Sequence, residues 1–253
     1  MKSNLTILIP TSPIPSHPST SILDETIANI RQYTDAEIII MFDGVHSSLA
    51  HRAEDYNEYK EAVRRKKHEY GWCNMAEFPD HQHQANMTRR TLDFVKTPLV
   101  MFCEHDTSPI GEIPWGLICG FVEMSPIVNC LRFNIFDRLH EEHLHLMLDK
   151  KPEFYYQEIV GGNVSEPIMA ARTIQWSQRP HIAKTDWYRG ILANYFPSTH
   201  RTMIEDVMHS VVQESYKHKR EDIFGLAIYT PEGNQLRSYH SDGRGADTKI
   251  IDG

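Results

Sequence analysis

The sequence predicts an α/β domain built on a doubly wound, mostly parallel sheet flanked by helices. Three observations carry that expectation. Short apolar runs closed by Pro, Gly or acids recur through the first half, as in Leu5–Ile9, Glu37–Phe42 and Leu99–Cys103. Between them lie segments of helical periodicity, such as Ile22, Leu23, Ile27 and Ile30 on one face. The resulting strand–helix–strand order requires parallel pairing with a right-handed crossover. At 253 residues the chain has ample length for one large core.

In order, Leu5 to Pro10 is the first strand, and it opens into Thr11–Pro18, a loop whose prolines forbid a helix. Ser19 to Tyr33 reads as a helix with Asp24 and Glu25 in its first turn. Glu37–Phe42 is a second buried strand, stopped by Asp43-Gly44. Residues 46–70 are densely charged and predict an exposed helix, Asn74–Phe78 a short third strand and Gln84–Val95 a helix. The fourth strand, Leu99–Cys103, runs straight into Glu104-His105-Asp106. Ile113–Met124 then predicts a helix and Ile127–Phe136 a strand.

The second half is less regular. Phe154–Ile159 reads as a strand, Gly161-Gly162-Asn163 as a turn, Thr185–Tyr195 and Thr202–Tyr216 as helices. Gly225–Tyr229 is a last strand before the Pro231-Glu232-Gly233-Asn234 turn, and the polar, Gly-rich tail from Ser241 is expected to be mobile. Neither repeats nor a linker are visible, so a single domain is expected over residues 1–253.

Composition narrows the function classes. A formal charge of −8 argues against tracking nucleic acid by bulk electrostatics. Cys73, Cys103, Cys119 and Cys130 stand singly, without C-x-x-C spacing, as reduced buried thiols do. No signal peptide is visible and no apolar stretch approaches the roughly 18 to 20 residues that span a bilayer. A soluble, cytoplasmic protein is the expectation.

The chemistry-bearing residues are mostly acids. If Glu104 and Asp106 continue the strand, their carboxylates two residues apart point the same way, and they repel unless a cation or polar ligand lies between them. Asp43 ends the second strand on the same sheet edge, where open α/β sheets bind ligands. Glu205-Asp206 opens a helix, either as a dipole complement or as a second acid pair, and His240 lies in the polar segment Tyr239–Arg244. Gln175-Trp176-Ser177-Gln178-Arg179-Pro180-His181 fits either a loop with Trp176 in the core or a surface that stacks and holds a ligand.

These stretches in this order resemble a glycosyltransferase of the GT-A fold, similar to the large family-2 type. Glu104-His105-Asp106 stands where that family has its Asp-x-Asp motif, Glu205-Asp206 where it has its "ED" motif, and His240 matches a late metal-site histidine. The resemblance covers residues 4–110 well and 160–245 loosely. It implies a GT-A, Rossmann-like sheet with a nucleotide-sugar half over 1–110 and a less regular acceptor half over 111–253.

It further implies a divalent ion, Mn²⁺ or Mg²⁺, that neutralises the donor diphosphate as a Lewis acid. Asp106 is the principal ligand and His240 the second. Glu104 with His105 lies beside the ribose or a metal-bound water, Asp43 near the nucleobase or ribose under the Thr11–Pro13 loop, and Arg89 or Arg90 within reach of the pyrophosphate. Asp206 is the general base of an inverting transfer, with Glu205 orienting a neighbour. Trp176, Arg179 and His181 belong to the acceptor side, and a UDP-type donor is favoured over a GDP-type. The acceptor stays open among glycan, small molecule, lipid-linked sugar, protein and modified nucleobase.

The sequence departs from the family pattern in two places. The first acid is Glu, one methylene longer, and Val207-Met208-His209-Ser210-Val211 replaces the Gln-x-x-Arg-Trp motif of processive synthases. Single-sugar transfer is therefore expected. Two alternatives share the fold logic: a nucleotidyltransferase, whose Gly-rich basic loop is missing after the first strand, and a non-catalytic sugar-nucleotide-binding protein. A zinc hydrolase is disfavoured, because His140-Glu141-Glu142-His143 lacks the His-x-x-x-His spacing.

Overall fold

The computed structural model describes residues 4–136, 141–147, 168, 170–218, 223–230 and 235–241. The predicted strand at 154–159, the turns at 161–163 and 231–234, His140 and the tail beyond 241 lie outside the described residues.

Strands β1 (Leu5–Thr11), β2 (Glu37–Phe42), β3 (Cys73–Glu77) and β4 (Leu99–Phe102) form a parallel block in the order β3-β2-β1-β4. The sheet continues through β8 (His181–Lys184), β6 (Cys130–Phe133), β9 (Leu226–Tyr229) and β7 (Ala170–Arg172). Of these, β8 and β7 run against their neighbours while β6 and β9 pair in parallel. Six of the eight strands thus point one way, and strands of both sequence halves share one sheet. A separate ribbon pairs β5 (Thr107–Pro109) antiparallel with β10 (Ser238–His240).

Period-two alternation sorts the core onto two faces. Leu5, Ile7 and Ile9 of β1 and Leu99 and Met101 of β4 pack with α1 (Ser21–Arg31), α2 (Ala53–Arg65) and α4 (Trp115–Met124). Leu8, Val100 and Phe102 face the other way, onto α3 (His83–Leu92), α5 (Thr185–Tyr195) and α6 (Ile204–Lys217). Both faces being covered is why these strands read as unbroken apolar runs.

Three expectations change. The charged segment 46–70 begins with a 3₁₀ turn at Ser47–Arg52 before α2, and α2 is only half exposed. Its Tyr56, Tyr59 and Val63 fall on one face and are buried, with His17 stacked on Tyr59 at 3.9 Å between ring centroids. Glu104 and Asp106 sit in a turn, not on an extended strand: β4 stops at Phe102, and Thr107 N donates back to Glu104 O at 3.1 Å. Residue 181, expected in a loop, lies in β8, a short strand the sequence reading missed.

Candidate functional site

The turn after β4 is fixed from several sides. Cys103 N donates to Leu8 O at 3.0 Å, and Thr26 Oγ1 of α1 donates to His105 O at 2.8 Å. Ser108 Oγ, in β5, reaches Thr26 Oγ1 at 3.1 Å. The turn therefore presents Glu104 and Asp106 from a rigid base at the carboxyl end of β4. Pairing of β10 with β5 sets His240 opposite Thr107, and Ser241 N donates to Asp106 O at 2.8 Å. His240 Nε2 comes to 3.6 Å from Asp106 Oδ2.

These groups line a cavity of about 800 Å³ at that edge of the sheet, within the size range of ligand pockets. Thr11, Pro13, Asp43, Glu104, His105, Asp106, Arg179, Glu205 and His240 all line it. Five other residues named from the sequence do not, Asp206 among them. Trp176 is buried and stacks on Trp187. Arg90 lies over the Phe78 ring, and Arg89, one residue earlier in α3, is also outside the lining. His181 is 1% exposed, with Nδ1 donating to Arg179 O at 2.8 Å and Nε2 at 3.2 Å from Tyr188 Oη. Burial pushes its imidazole down to about 4, the Arg179 carbonyl opposing this and the Arg132 charge adding to it. Of the two readings the 175–181 segment allows, Trp176 follows the core one and His181 joins it, whereas Arg179 lines the cavity.

Within α6 the two acids separate. Glu205 faces the cavity, half-buried, with Oε2 accepting from Gln178 N at 2.9 Å. Asp206 is exposed and outside the lining. One residue further along a helix is a rotation of about 100°, enough to turn it away.

Asp43 is buried, and its carboxylate already has three donors: Gln82 N at 2.6 Å, His83 N at 3.0 Å and His81 Nδ1 at 2.9 Å. It anchors the entry to α3. Gly44 must be glycine here, because a Cβ would come within 2.2 Å of the Asp80 carbonyl carbon. His83 carries a φ of +59°, a strained conformation for a side-chain-bearing residue, held by this anchor. Thr11 Oγ1 is turned toward Met41 O and Tyr56 Oη, at 3.2 and 3.1 Å.

Glu104 is pushed up to about 8, chiefly by burial and then by the charges of Asp106 and Glu205; Arg179 and a hydrogen bond from Gln84 oppose this. Gln84, which the sequence marks only as the start of a helix, is a hub. Its Nε2 donates to Glu104 Oε1 at 2.9 Å, and its Oε1 accepts from Ile204 N at 3.0 Å and from Gln178 Nε2. It thereby links the β4 turn to the start of α6. Arg132 of β6 was also missed; it lines the cavity with Nη2 on Gln175 Oε1 at 2.8 Å. His46, His81 and His83 line the β2 side, rings edge to face. Gln84 follows a polar stretch and Arg132 lies inside an apolar run, so neither stands where a strand end would mark it.

Among the described residues no helix is long and apolar enough to cross a membrane. No protein-family model and no curated protein matches the chain. Its structure is similar to solved glycosyltransferases. One is the mannosyltransferase PcManGT from Pyrobaculum calidifontis in complex with GDP-Man and Mn²⁺, at 12% identity and a TM-score of 0.54, covering 92% of this chain. Another is S. aureus TarS 1-349 in complex with UDP, at 11% and 0.56, covering 95%. A third is GalNAc-T7 with UDP, GalNAc and Mn²⁺, at 10% and 0.56, covering 97%. This chain spans 59%, 60% and 45% of their respective lengths. At that identity the likeness is one of fold, and the fold of this chain is GT-A.

Proposed function

We propose that the chain is a metal-dependent, inverting glycosyltransferase that moves one sugar from a nucleotide-sugar donor to an acceptor hydroxyl. The observation that carries this reading is convergence. Glu104 and Asp106 from the β4 turn, His240 from β10 and Glu205 from α6 meet in one cavity at the carboxyl edge of the sheet.

The donor set fits a divalent ion shared with phosphate. Asp106 and His240 supply one carboxylate and one imidazole, while among the described residues no group of three or more His, Cys, Asp or Glu is placed to hold a metal ion. Such a pair leaves positions for diphosphate oxygens, as Mg²⁺ and Mn²⁺ sites for nucleotides do. Bound there, Mn²⁺ or Mg²⁺ would neutralise the charge that builds on the leaving diphosphate.

The protein's own contribution is positioning and proton transfer. Glu205 takes the place assigned to Asp206 from the sequence, because it alone of the pair lines the cavity. With Oε2 held by Gln178 N, its carboxylate accepts the proton of the acceptor hydroxyl as that oxygen forms the new bond to the anomeric carbon. The bond from that carbon to the diphosphate breaks on the opposite face, and the electron pair leaves with the nucleotide. Asp43, His81 and His83 form the wall nearest β2 and receive the nucleoside.

The test is thermal stabilisation of the chain by UDP- and GDP-sugars with and without Mn²⁺, followed by turnover of the best ligand. Ligand at 100 times its Kd stabilises by about 2.7 kcal/mol. Absence of metal-dependent stabilisation by any nucleotide sugar removes this reading.

A further inference from the structure

Asp43, the acid that the resemblance sets near the nucleobase, has little left to offer a ligand. It is 2% exposed, and its Oδ1 accepts from Gln82 N at 2.6 Å. Its Oδ2 accepts from His83 N at 3.0 Å and lies 2.9 Å from His81 Nδ1. A ligand N–H would have to displace one of these amides at a residue whose φ is already +59°.

The carboxylate instead sets the proton on His81. A bare lone pair on Nδ1 would repel the facing oxygen, so Nδ1 is the protonated nitrogen and the neutral ring leaves Nε2 as an acceptor. Among the described residues nothing bonds to Nε2, and that atom is not buried. His81 lines the cavity, and its backbone is fixed from two sides. Gly44 packs against the Asp80–His81 peptide, and Arg201 Nε donates to His81 O.

The other histidines of this wall differ. His83 Nδ1 accepts from Gln84 N at 2.9 Å, and its ring also bonds to the Thr202 backbone. His46 Nδ1 accepts from Ser48 N at 3.3 Å, so in its neutral ring Nε2 carries the proton. The rings of His46 and His81 meet edge to face, 4.9 Å between centroids. The wall thus offers an acceptor beside a donor, the complement of an N–H beside a C=O. It stands at the end of β2, two strands from β4 in the order β2-β1-β4. Two strand spacings are roughly 10 Å, room for a ribose between a base here and a diphosphate at Asp106.

We infer that His81 is the residue that selects the nucleobase, and that the donor carries a lactam base, uracil or guanine, in preference to cytosine or adenine. Uracil N3 and guanine N1 bear hydrogens that Nε2 can accept. Cytosine N3 and adenine N1 are bare, and would set one lone pair against another. The inference rests on the transferase reading, which places the nucleoside at this wall.

The experiment is calorimetric titration of the full chain with UDP, CDP, GDP and ADP, with Mg²⁺ at pH 8, above the usual range of imidazole titration. UDP should bind at least about tenfold tighter than CDP, or GDP than ADP, the scale of a buried group left without its partner. The N-methylated form of the better ligand, 3-methyl-UDP or 1-methyl-GDP, should lose at least as much. His81→Phe, which keeps a ring and removes the acceptor, should bring the ratio within about threefold without weakening CDP or ADP. If circular dichroism shows that variant unfolded, His81→Asn supplies the comparison, since its amide can still donate to Asp43 but lacks Nε2. A preference that survives the loss of His81 overturns the inference. A chain that binds all four nucleotides alike also overturns it and keeps the transferase reading. One that binds none of them loses both.

Discussion

His240 Nε2 lies 3.6 Å from Asp106 Oδ2, although the two residues belong to distant parts of the chain. The β5–β10 ribbon brings them together, with His240 opposite Thr107 and the Ser241 amide on Asp106 O. On the proposed reading, a carboxylate and an imidazole held this close by backbone pairing would form a preorganised donor pair, since neither would have to search for the other when an ion arrives. His240→Ala should weaken Mn²⁺ binding by at least about tenfold, the lower end of what even outer-shell changes cost metal sites. Asp106→Asn should do the same. Mn²⁺ titration followed by electron paramagnetic resonance reads this directly, and unchanged affinity in both variants would remove the pair from the metal site.

The two acids at the start of α6 separate by orientation. On the proposed mechanism Glu205→Gln keeps the hydrogen bond from Gln178 N and removes the base, so kcat should fall by about 10² to 10⁴ while donor affinity holds. Asp206→Asn should leave kcat within about twofold, because Asp206 is exposed and off the cavity wall. The reverse ranking in steady-state kinetics would restore Asp206 as the base.

Much of this was legible in the sequence, for a physical reason. Buried parallel strands such as Glu37–Phe42 and Leu99–Phe102 must be apolar on both faces, so they stand out, and the acids that follow them fall at the ligand edge. The strand β8 was hidden because only Ile182 and Ala183 are apolar in it, while His181 satisfies its ring inside the core. The ribbon was hidden too, since pairing Thr107 with His240 leaves no local periodicity. Trp176 misled, because an aromatic in a polar loop can pack inward as readily as face a ligand, and here Trp187 and Tyr188 receive it.

Gln84 holds the two halves of the site in register through Glu104, Ile204 and Gln178. Gln84→Leu removes the amide from a buried network and leaves the Ile204 N–H without its acceptor. An unsatisfied buried donor costs about 1–3 kcal/mol, so chemical denaturation should show a loss of that size. Because the link runs to Glu205 through Gln178, kcat should fall more than KM rises. A variant with lower stability but unaltered kcat would confine Gln84 to a structural role.

The buried imidazole of His181 sets an acid limit on stability. It is neutral in the fold: Nδ1–H donates to the Arg179 carbonyl and Nε2 accepts from the Tyr188 hydroxyl. Its folded value near 4 lies below its ordinary value of 6.5. Between those values the unfolded chain binds the extra proton and the folded chain does not, so stability rises with pH across that window. The contribution is therefore fully present above pH 6.5 and is lost as pH falls toward 4. A gap of that width corresponds to about 3 kcal/mol, the cost of charging an imidazole that also feels Arg132. His181→Gln cannot be protonated there, so its stability should depend less steeply on pH between about 4 and 6.5 than that of the parent chain. Urea melts at several pH values across that range measure the two slopes. Parallel slopes would show that His181 is not the group that titrates, and would shift the acid sensitivity to the carboxylates of the cavity.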